Sequence, residues 1–526
     1  MKKYIYIIMC SAMIISMSSC NQYLEVYPEN VEPTDKYWST KEEVESALFS
    51  GYYYLRNSVE DYLIPWGELR AGCITNRSGS VLQKFELKPS SKVATWADMY
   101  KIINIANLVL ANAELARTND NTYTQEAMNS HFCEAYFLRA LAYFYIARNW
   151  QSAPLNLQGY QSDDYDYNIP AVPNTEILAQ IKTDLETAVK LGAAKTSFDT
   201  TWETKGRATI WSIYALLTDV CLWKADFDDA IKYANAILNS QDTSRPRFMS
   251  TPSRTSWFSM FNPGNSNESI FEIQWSYEKE DKSGYQSNNL PMLFYSGSSE
   301  YTYHFCDEMR DAYNQESLEI GENWMAQHPN PGPEETPDYI RSIYGTTDGN
   351  NLCWKYIGGA QGSATNRISE GKEDPNYIIY RVADVMLMKA EAIIMKDLEA
   401  PNEADNQTAI DIINQIRTRT NLNPSELDAA FAGPTELLEA ILHERVMEFA
   451  GEGKAWYDFL RFGHYTDPTG KIDFKRDFLI NNVQIYNSSL SADKINSVLL
   501  NENAWYMPIS ADEIKANPLL SQNPYY

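Results

Sequence analysis

"TKGRATIWSIYALLTDVCLWKADFDDAIKYANAIL", residues 204–238, decides the fold class. Ala208, Trp211 and Ala215 recur at spacings of three and four, which puts them on one face of a helix. Ala230, Ala234 and Ile237 do the same on a second helix, and the break from Lys224 to Phe227 joins the two. Small side chains at the crossing let two antiparallel helices approach closely. The stretch therefore predicts a tight helical hairpin.

That hairpin has the second-helix spacing of a tetratricopeptide unit, although Thr218 stands where the first helix of such a unit carries Gly or Ala. A second pair follows late in the chain. In "IIYRVADVMLMKAEAIIM" and "TAIDIINQIRTRT", Ala383, Leu387, Ala390 and Ile394 are expected to face Ala409, Ile412, Ile413 and Ile416. Earlier, "STKEEVESALFSGYYYL" opens with Ser39 and Thr40, each with a glutamate three residues on, which is capping-box chemistry. Met99, Ile103, Ala106, Leu110 and Ala113 mark one further helix, and Cys133, Phe137, Ala140, Phe144 and Ala147 another that closes before Pro154. Cys133 then reads as a small core residue. The fold class expected is mainly α, a tetratricopeptide-like scaffold of helix pairs, in which even 526 residues can form one body.

Between the pairs the character changes. Residues 20–240 form an N-terminal helical part and 376–526 a C-terminal helical part with a tail. Residues 241–375 gather Ser, Asn, Gly and Pro, with little helical period. Only "ESIFEIQWSY" reads there as a short strand. Trp257, Phe261, Trp275, Tyr285, Tyr295, Tyr301 and Tyr303 are too many large rings for a disordered linker. The insertion is expected to be an irregular, aromatic-rich elaboration.

The amino terminus reads as an export signal. Lys2 and Lys3 precede the apolar run Tyr4 to Met17, and Ser18 and Ser19 place small side chains before Cys20. Residues 1–19 are too short for a spanning helix, and a thiol at the cleavage point suits lipid attachment, so Cys20 is expected to be the lipidated first mature residue. An ordinary signal with a chance cysteine is the plainer alternative. Removing residues 1–19 takes away two lysines and no acids, which moves the net charge from −26 to −28. Such a chain repels phosphate backbones, so nucleic acid is excluded as a natural partner. Five cysteines remain besides Cys20, with no repeated spacing, and do not form a disulfide framework.

Ten collinear blocks carry a family resemblance: "CNQYLEVYP", "WGELRAG", "MYKIINIANLVL", "FLRALAYFYIARNWQSAPL", "GRATIWSIYALL", "ESIFEIQ", "YRVADVMLMKAEA", "INQIRTRTNL", "ERVMEFAGEGKAWYDFLRFG" and "YMPISADEIKANPLLSQNPYY". In these the chain resembles the SusD/RagB-type outer-membrane nutrient-binding lipoproteins over nearly its whole length. The sequence departs from the family pattern at Gly72 (usually Asp), Asp384 (usually Glu), Lys454 (usually Arg) and the final Pro-Tyr-Tyr. The resemblance implies about four tetratricopeptide-like units and a loop-rich, ligand-facing elaboration. It also implies a surface-exposed, lipid-anchored protein of the outer membrane that binds a glycan, or a peptide as the alternative. Its implied partner is a SusC-like TonB-dependent barrel.

A sugar ring presents apolar C–H faces and a rim of hydroxyls, so its site needs Trp or Tyr platforms with Asn, Arg or Asp beside them. Two regions supply these residue types. The first runs through Trp66, Arg70, Asn76, Arg77 and Trp96; the second, in the insertion, holds Trp275, Tyr285, Tyr301 and Trp324. No catalytic residue is selected. Glu444, Glu448 and Glu452 lie four apart, but Arg445, Lys454 and Arg461 nearby are expected to pair with them as a charged helix end. A lipoprotein glycoside hydrolase, needing two carboxylates across a cleft, is the rival from another class. Asp164, Asp166 and Asn168 have calcium-loop spacing, yet Ile169 and Thr175 stand where such a loop needs Gly and Glu, leaving only an irregular surface calcium open. The five histidines show no zinc spacing, there is no phosphate-binding glycine loop, and no cofactor is expected. Arg139 and Arg207, each on an apolar helix, are expected to be inter-helix ion-pair partners.

Overall fold

The computed structural model describes residues 37–76, 79–161, 165–275, 290–294, 303–332, 335–343, 351–358 and 375–526. Helix pairs dominate it, and local chemistry sets their ends. Helix α1 (Lys41–Ser58) starts at Thr40, whose hydroxyl accepts from the Glu43 amide while Glu43 reaches back to the Thr40 N–H, the reciprocal cap expected from sequence. It packs on α2 (Ala97–Asn119). Next, α3 (Gln125–Asn149) pairs with α4 (Asn174–Leu191), which ends at Gly192 in the left-handed region. The deciding stretch forms α5 (Ile210–Trp223) and α6 (Phe227–Leu238), joined by Lys224, Ala225 and Asp226 inside the expected break, with Phe227 already opening the second helix. Ala208, Trp211, Ala215, Ala230, Ala234 and Ile237 are all buried. The late pair is α9 (Val382–Lys396) with α10 (Glu403–Arg419), and α9 also packs against α6, tying the C-terminal pair to the others.

Arg139 and Arg207 do link helices. Arg139 chelates Asp184 on α4 with two bonds of 2.7 Å, and Arg207 binds Glu134 on α3 and Glu45 on α1 at 2.7 and 2.8 Å. Cys73, Cys133, Cys221, Cys306 and Cys353 are buried free thiols.

The insertion is more helical than its sequence suggests. It holds α7 (Arg254–Phe261) and the 21-residue α8 (Asp307–Gln327). The buried face of α8 hides its period because it mixes Met309, Tyr313 and Ile320 with Glu316 and Ser317. Those polar groups are buried against partners from a distant segment: Arg341 binds Glu316 at 2.6 Å and Ser317 donates to the Ser342 carbonyl at 2.8 Å. The expected strand forms as β4 (Ser269–Ile273), antiparallel to β6 (Tyr377–Arg381). Two more short ribbons pair β1 (Ile74–Asn76) with β5 (Tyr303–Phe305), and β2 (Ser152–Pro154) with β3 (Ala171–Pro173).

Two further helices, α11 (Pro434–Phe449) and α12 (Ala455–His464), close the core. The turn between them crosses the short helix Ile64–Glu68 so tightly that a Cβ on Gly67 would lie 1.9 Å from the Gly453 carbonyl oxygen. Glu68 accepts from the Gly453 amide at 2.7 Å across this crossing. Gly72 sits at φ +88°, and a Cβ added there would lie 2.5 Å from Asn487 Cβ, so a side chain such as the usual aspartate does not fit at that position. Two of the other departures face each other: Lys454 Nζ lies 2.6 Å from Asp384.

Candidate ligand-binding site

The residues singled out from sequence divide into three groups. Trp66 is fully buried, with its indole N–H donating to the Val93 carbonyl at 2.9 Å. Trp96, 3% exposed, precedes α2, and both indoles meet Trp150, at 5.5 and 5.3 Å between ring centroids. Arg70 is buried over the Trp456 ring and donates to the Trp505 carbonyl at 2.6 Å and to Asn149 Oδ1 at 2.9 Å. Burial lowers its pKa to about 10. These three therefore serve the core here, a correction to their expected ligand role: none has a ring face or fork open to solvent. Asn76 closes β1, half-buried opposite Tyr303. Trp275 is buried at the end of the β4 segment, and Trp324, half-buried on α8, stacks on His328 at 4.5 Å. Cys20, Arg77, Asp164, Tyr285 and Tyr301 lie outside the described residues.

The three glutamates near the C-terminus are buried and paired, but not with the expected cations. Glu444 pairs with Arg341, Glu448 with Arg341, Arg381 and Arg419, and Glu452 with Lys355 and Arg381. Neighbouring helical positions differ by about 100°, so Arg445 points elsewhere, to Asp384 and Asp458. Arg461 binds Glu391 and Asp458, and Lys454 binds Asp384. Burial opposes the Glu448 charge, yet Arg419, Arg381 and Arg341 outweigh it and hold its pKa near 2. The cluster knits the insertion to the C-terminal helices. Among the described residues, no group of His, Cys, Asp and Glu is placed to hold a metal.

An open aromatic site exists elsewhere. The core side of α1 carries Val44, Ala47, Leu48, Gly51 and Leu55. A second stripe, Phe49, Tyr52, Tyr53 and Arg56, follows the i, i+3, i+4, i+7 spacing and faces a cleft of about 260 Å³. The far wall is the short helix Thr201–Gly206 and the end of the β4 segment. Phe49, Tyr53 and Trp202 are 46%, 45% and 43% exposed, so three rings meet solvent around one opening. The framework beneath them is fixed. The Tyr52 hydroxyl donates to Glu134 at 2.8 Å and accepts from the Ala208 amide at 2.9 Å; burial, then the Glu134 charge, push its pKa well above the usual phenol value. Arg207 spans Glu134 and Glu45 beneath the Phe49 ring at 5.0 Å. Burial works against its charge, but Glu134 prevails and holds the guanidinium above its ordinary pKa.

Gln274 supplies the polar edge. Its Nε2 donates to the Trp202 carbonyl at 2.7 Å and to Asn265 Oδ1 at 2.9 Å, which fixes the amide. Its Oε1 is buried and has no donor among the described residues, while the Gln274 side chain as a whole lines the same cleft. Flat apolar faces with Arg56 and Glu203 beside them suit a ligand that offers both C–H faces and hydroxyls. Sequence reasoning missed this site. The available signal was "YYYLR" at 52–56: three consecutive helical rings span about 200° and cannot all face one core.

Comparison with known proteins agrees with this architecture. A family model described as "SusD family" matches residues 253–526, and one described as "Starch-binding associating with outer membrane" matches residues 71–222. SusD-like protein P38 of Formosa agariphila is 26% identical over 514 aligned positions, covering 90% of this chain and 94% of the relative. A SusD superfamily protein of Bacteroides thetaiotaomicron superposes with a TM-score of 0.68 at 21% identity, covering 93% of this chain and 99% of the other. A laminarin-binding SusD-like protein superposes with a TM-score of 0.64 at 18% identity, covering 93% and 100%.

Proposed function

The chain belongs to the SusD family, and from that premise we propose that it is a non-catalytic, surface-exposed outer-membrane lipoprotein, anchored through Cys20. It captures an oligo- or polysaccharide and delivers it to a partner SusC-like TonB-dependent barrel. The observation that carries the ligand class is the cleft: three exposed rings, Phe49, Tyr53 and Trp202, around one opening whose lining also holds Arg56, Glu203 and Gln274. Rings supply the stacking surface for sugar C–H faces, and Arg56 and Glu203 in the same lining supply polar partners for hydroxyls. The laminarin-binding neighbour and the starch-binding family description support the same class. No described helix is long and apolar enough to cross a membrane, which fits attachment by lipid at Cys20.

The test is affinity electrophoresis of the mature chain in gels of laminarin, starch, xylan and galactomannan, followed by calorimetry with the polymer that retards it. Retardation by at least one polymer, weakened by Trp202→Ala, is expected. Migration unaffected by every polymer sinks the glycan reading, and release of reducing sugar during incubation sinks the non-catalytic one. For the anchor, Cys20→Ser is expected to move the protein from the membrane to the soluble fraction.

A further inference from the structure

Rings also meet solvent on the other side of α1. After β2 the chain runs along α2 through residues 155–161 and 165–170, its main chain held by side-chain amides. Asn107 Nδ2 donates to the carbonyls of Asn156 and Gln158 at 3.2 and 3.0 Å. Asn104 brackets Tyr160, accepting from its amide at 2.7 Å and donating to its carbonyl at 3.1 Å. The Tyr143 hydroxyl clasps Asn156 in the same two-way manner, and Asn517 holds the Ile169 carbonyl at 2.7 Å. Asn107 is itself fixed from below, because Arg139, chelating Asp184, donates to its Oδ1 at 2.7 Å. A buried ion pair thus orients an amide, and the amide sets a surface strand.

That strand displays three tyrosines. The Tyr160 ring lies 5.0 Å from Tyr165 at an interplanar angle of 51°, and 4.8 Å from Tyr167 at 61°. Tyr165 and Tyr167 remain 40% and 49% exposed. Beside Tyr160 opens a groove of about 330 Å³ lined by Tyr37, Trp38, Ile105 and Leu108. Scattered exposed rings need no explanation, but rings gathered at one place, on a chain held at Asn156, Gln158, Tyr160 and Ile169, mark a contact surface.

We propose that Tyr160, Tyr165 and Tyr167 form a second carbohydrate platform, separate from the cleft, that takes a neutral oligosaccharide. The proposal rests on the glycan-binding reading for its ligand class. Inclined ring faces carrying hydroxyls match successive sugar units, each with a C–H face and polar edge. Asp166 stands exposed between the rings and accepts from Asn168 at 2.9 Å, and the chain's net charge is −26, so an anionic polymer is disfavoured.

Gel retardation and calorimetry on the full mature chain, with laminarin, starch, xylan and galactomannan as probes, test this with two variants and their combination. Tyr165→Ala/Tyr167→Ala is expected to keep the melting temperature and to lose at least threefold in affinity for the retarding polymer. Combined with Trp202→Ala, the losses are expected to multiply, and Tyr165→Phe/Tyr167→Phe should restore part of the binding. Unchanged affinity in the tyrosine variant, with Trp202→Ala still weakened, overturns the platform and leaves the glycan reading standing. No retardation of the unmodified chain by any polymer overturns both. Unchanged retardation with loss of a co-purifying membrane protein makes the surface a protein interface and also overturns the proposal.

Discussion

Trp66, Trp96 and Trp150 meet at centroid distances of 5.3 and 5.5 Å in the core, whereas Phe49, Tyr53 and Trp202 stand around an open cleft nearly half exposed. Both sets are large rings drawn from helices or their approaches, and composition does not separate them. Their partners do. The Trp66 and Trp150 indoles donate to the Val93 and Pro508 carbonyls, so those rings are buried without leaving a polar group unpaired. Around the cleft the hydrogen bonds are made one layer beneath the rings, by Tyr52, Glu134 and Arg207, and the faces above are left open.

The comparison breaks most readily at Trp66. Trp66→Ala is expected to cost about 3–5 kcal/mol in guanidinium unfolding, because a fully buried indole leaves a cavity and an unpaired carbonyl. A loss below about 1 kcal/mol would place Trp66 with the cleft rings. Next in size is the acid limb of stability. Glu448 has its folded pKa depressed from 4.5 to about 2, so its contribution is present above about pH 4.5 and is lost as pH falls toward 2. The loss is on the order of 3 kcal/mol and is read by urea unfolding at stepped pH. Glu448→Gln is expected to flatten that limb while lowering stability at neutral pH, since it leaves Arg381 and Arg419 under-compensated. At the cleft the expectation reverses. Trp202→Ala should change stability by no more than about 0.5 kcal/mol, yet weaken polysaccharide binding about tenfold, or about 1.4 kcal/mol. Smallest is Tyr52→Phe beneath the cleft: about 1 kcal/mol of stability from the lost Glu134 and Ala208 bonds, with affinity changed less than by Trp202→Ala.

The scaffold was legible where apolar spacing alone builds an element. Ala230, Ala234 and Ile237, or Ala383 and Leu387, need no distant partner to announce a helix face. What escaped was whatever long-range pairing decides. Helix α8 hides a polar buried face that makes sense only once Arg341 is brought beside Glu316. Glu448 takes its cations from residues 341, 381 and 419, so its near neighbours in sequence misled. The site was misread for the same reason. Trp66 and Trp96 carry the residue types a sugar site needs, and only the fold puts Val93 and Trp150 against them. Trp202, set among Thr and Glu in "TTWETKG", gave no apolar pattern to follow.

The crossing of Gly67 with Gly453, and the reach of Arg70 to the Trp505 carbonyl, join segments separated by hundreds of residues. A polypeptide emerging amino end first from a ribosome or translocon therefore carries its opening helices without their closing partners until nearly all of it has been threaded through. The helix pairs that need only near neighbours are complete earlier, but a chain stopped before residue 505 is expected to lack the closure at Arg70 and to be protease-sensitive around it.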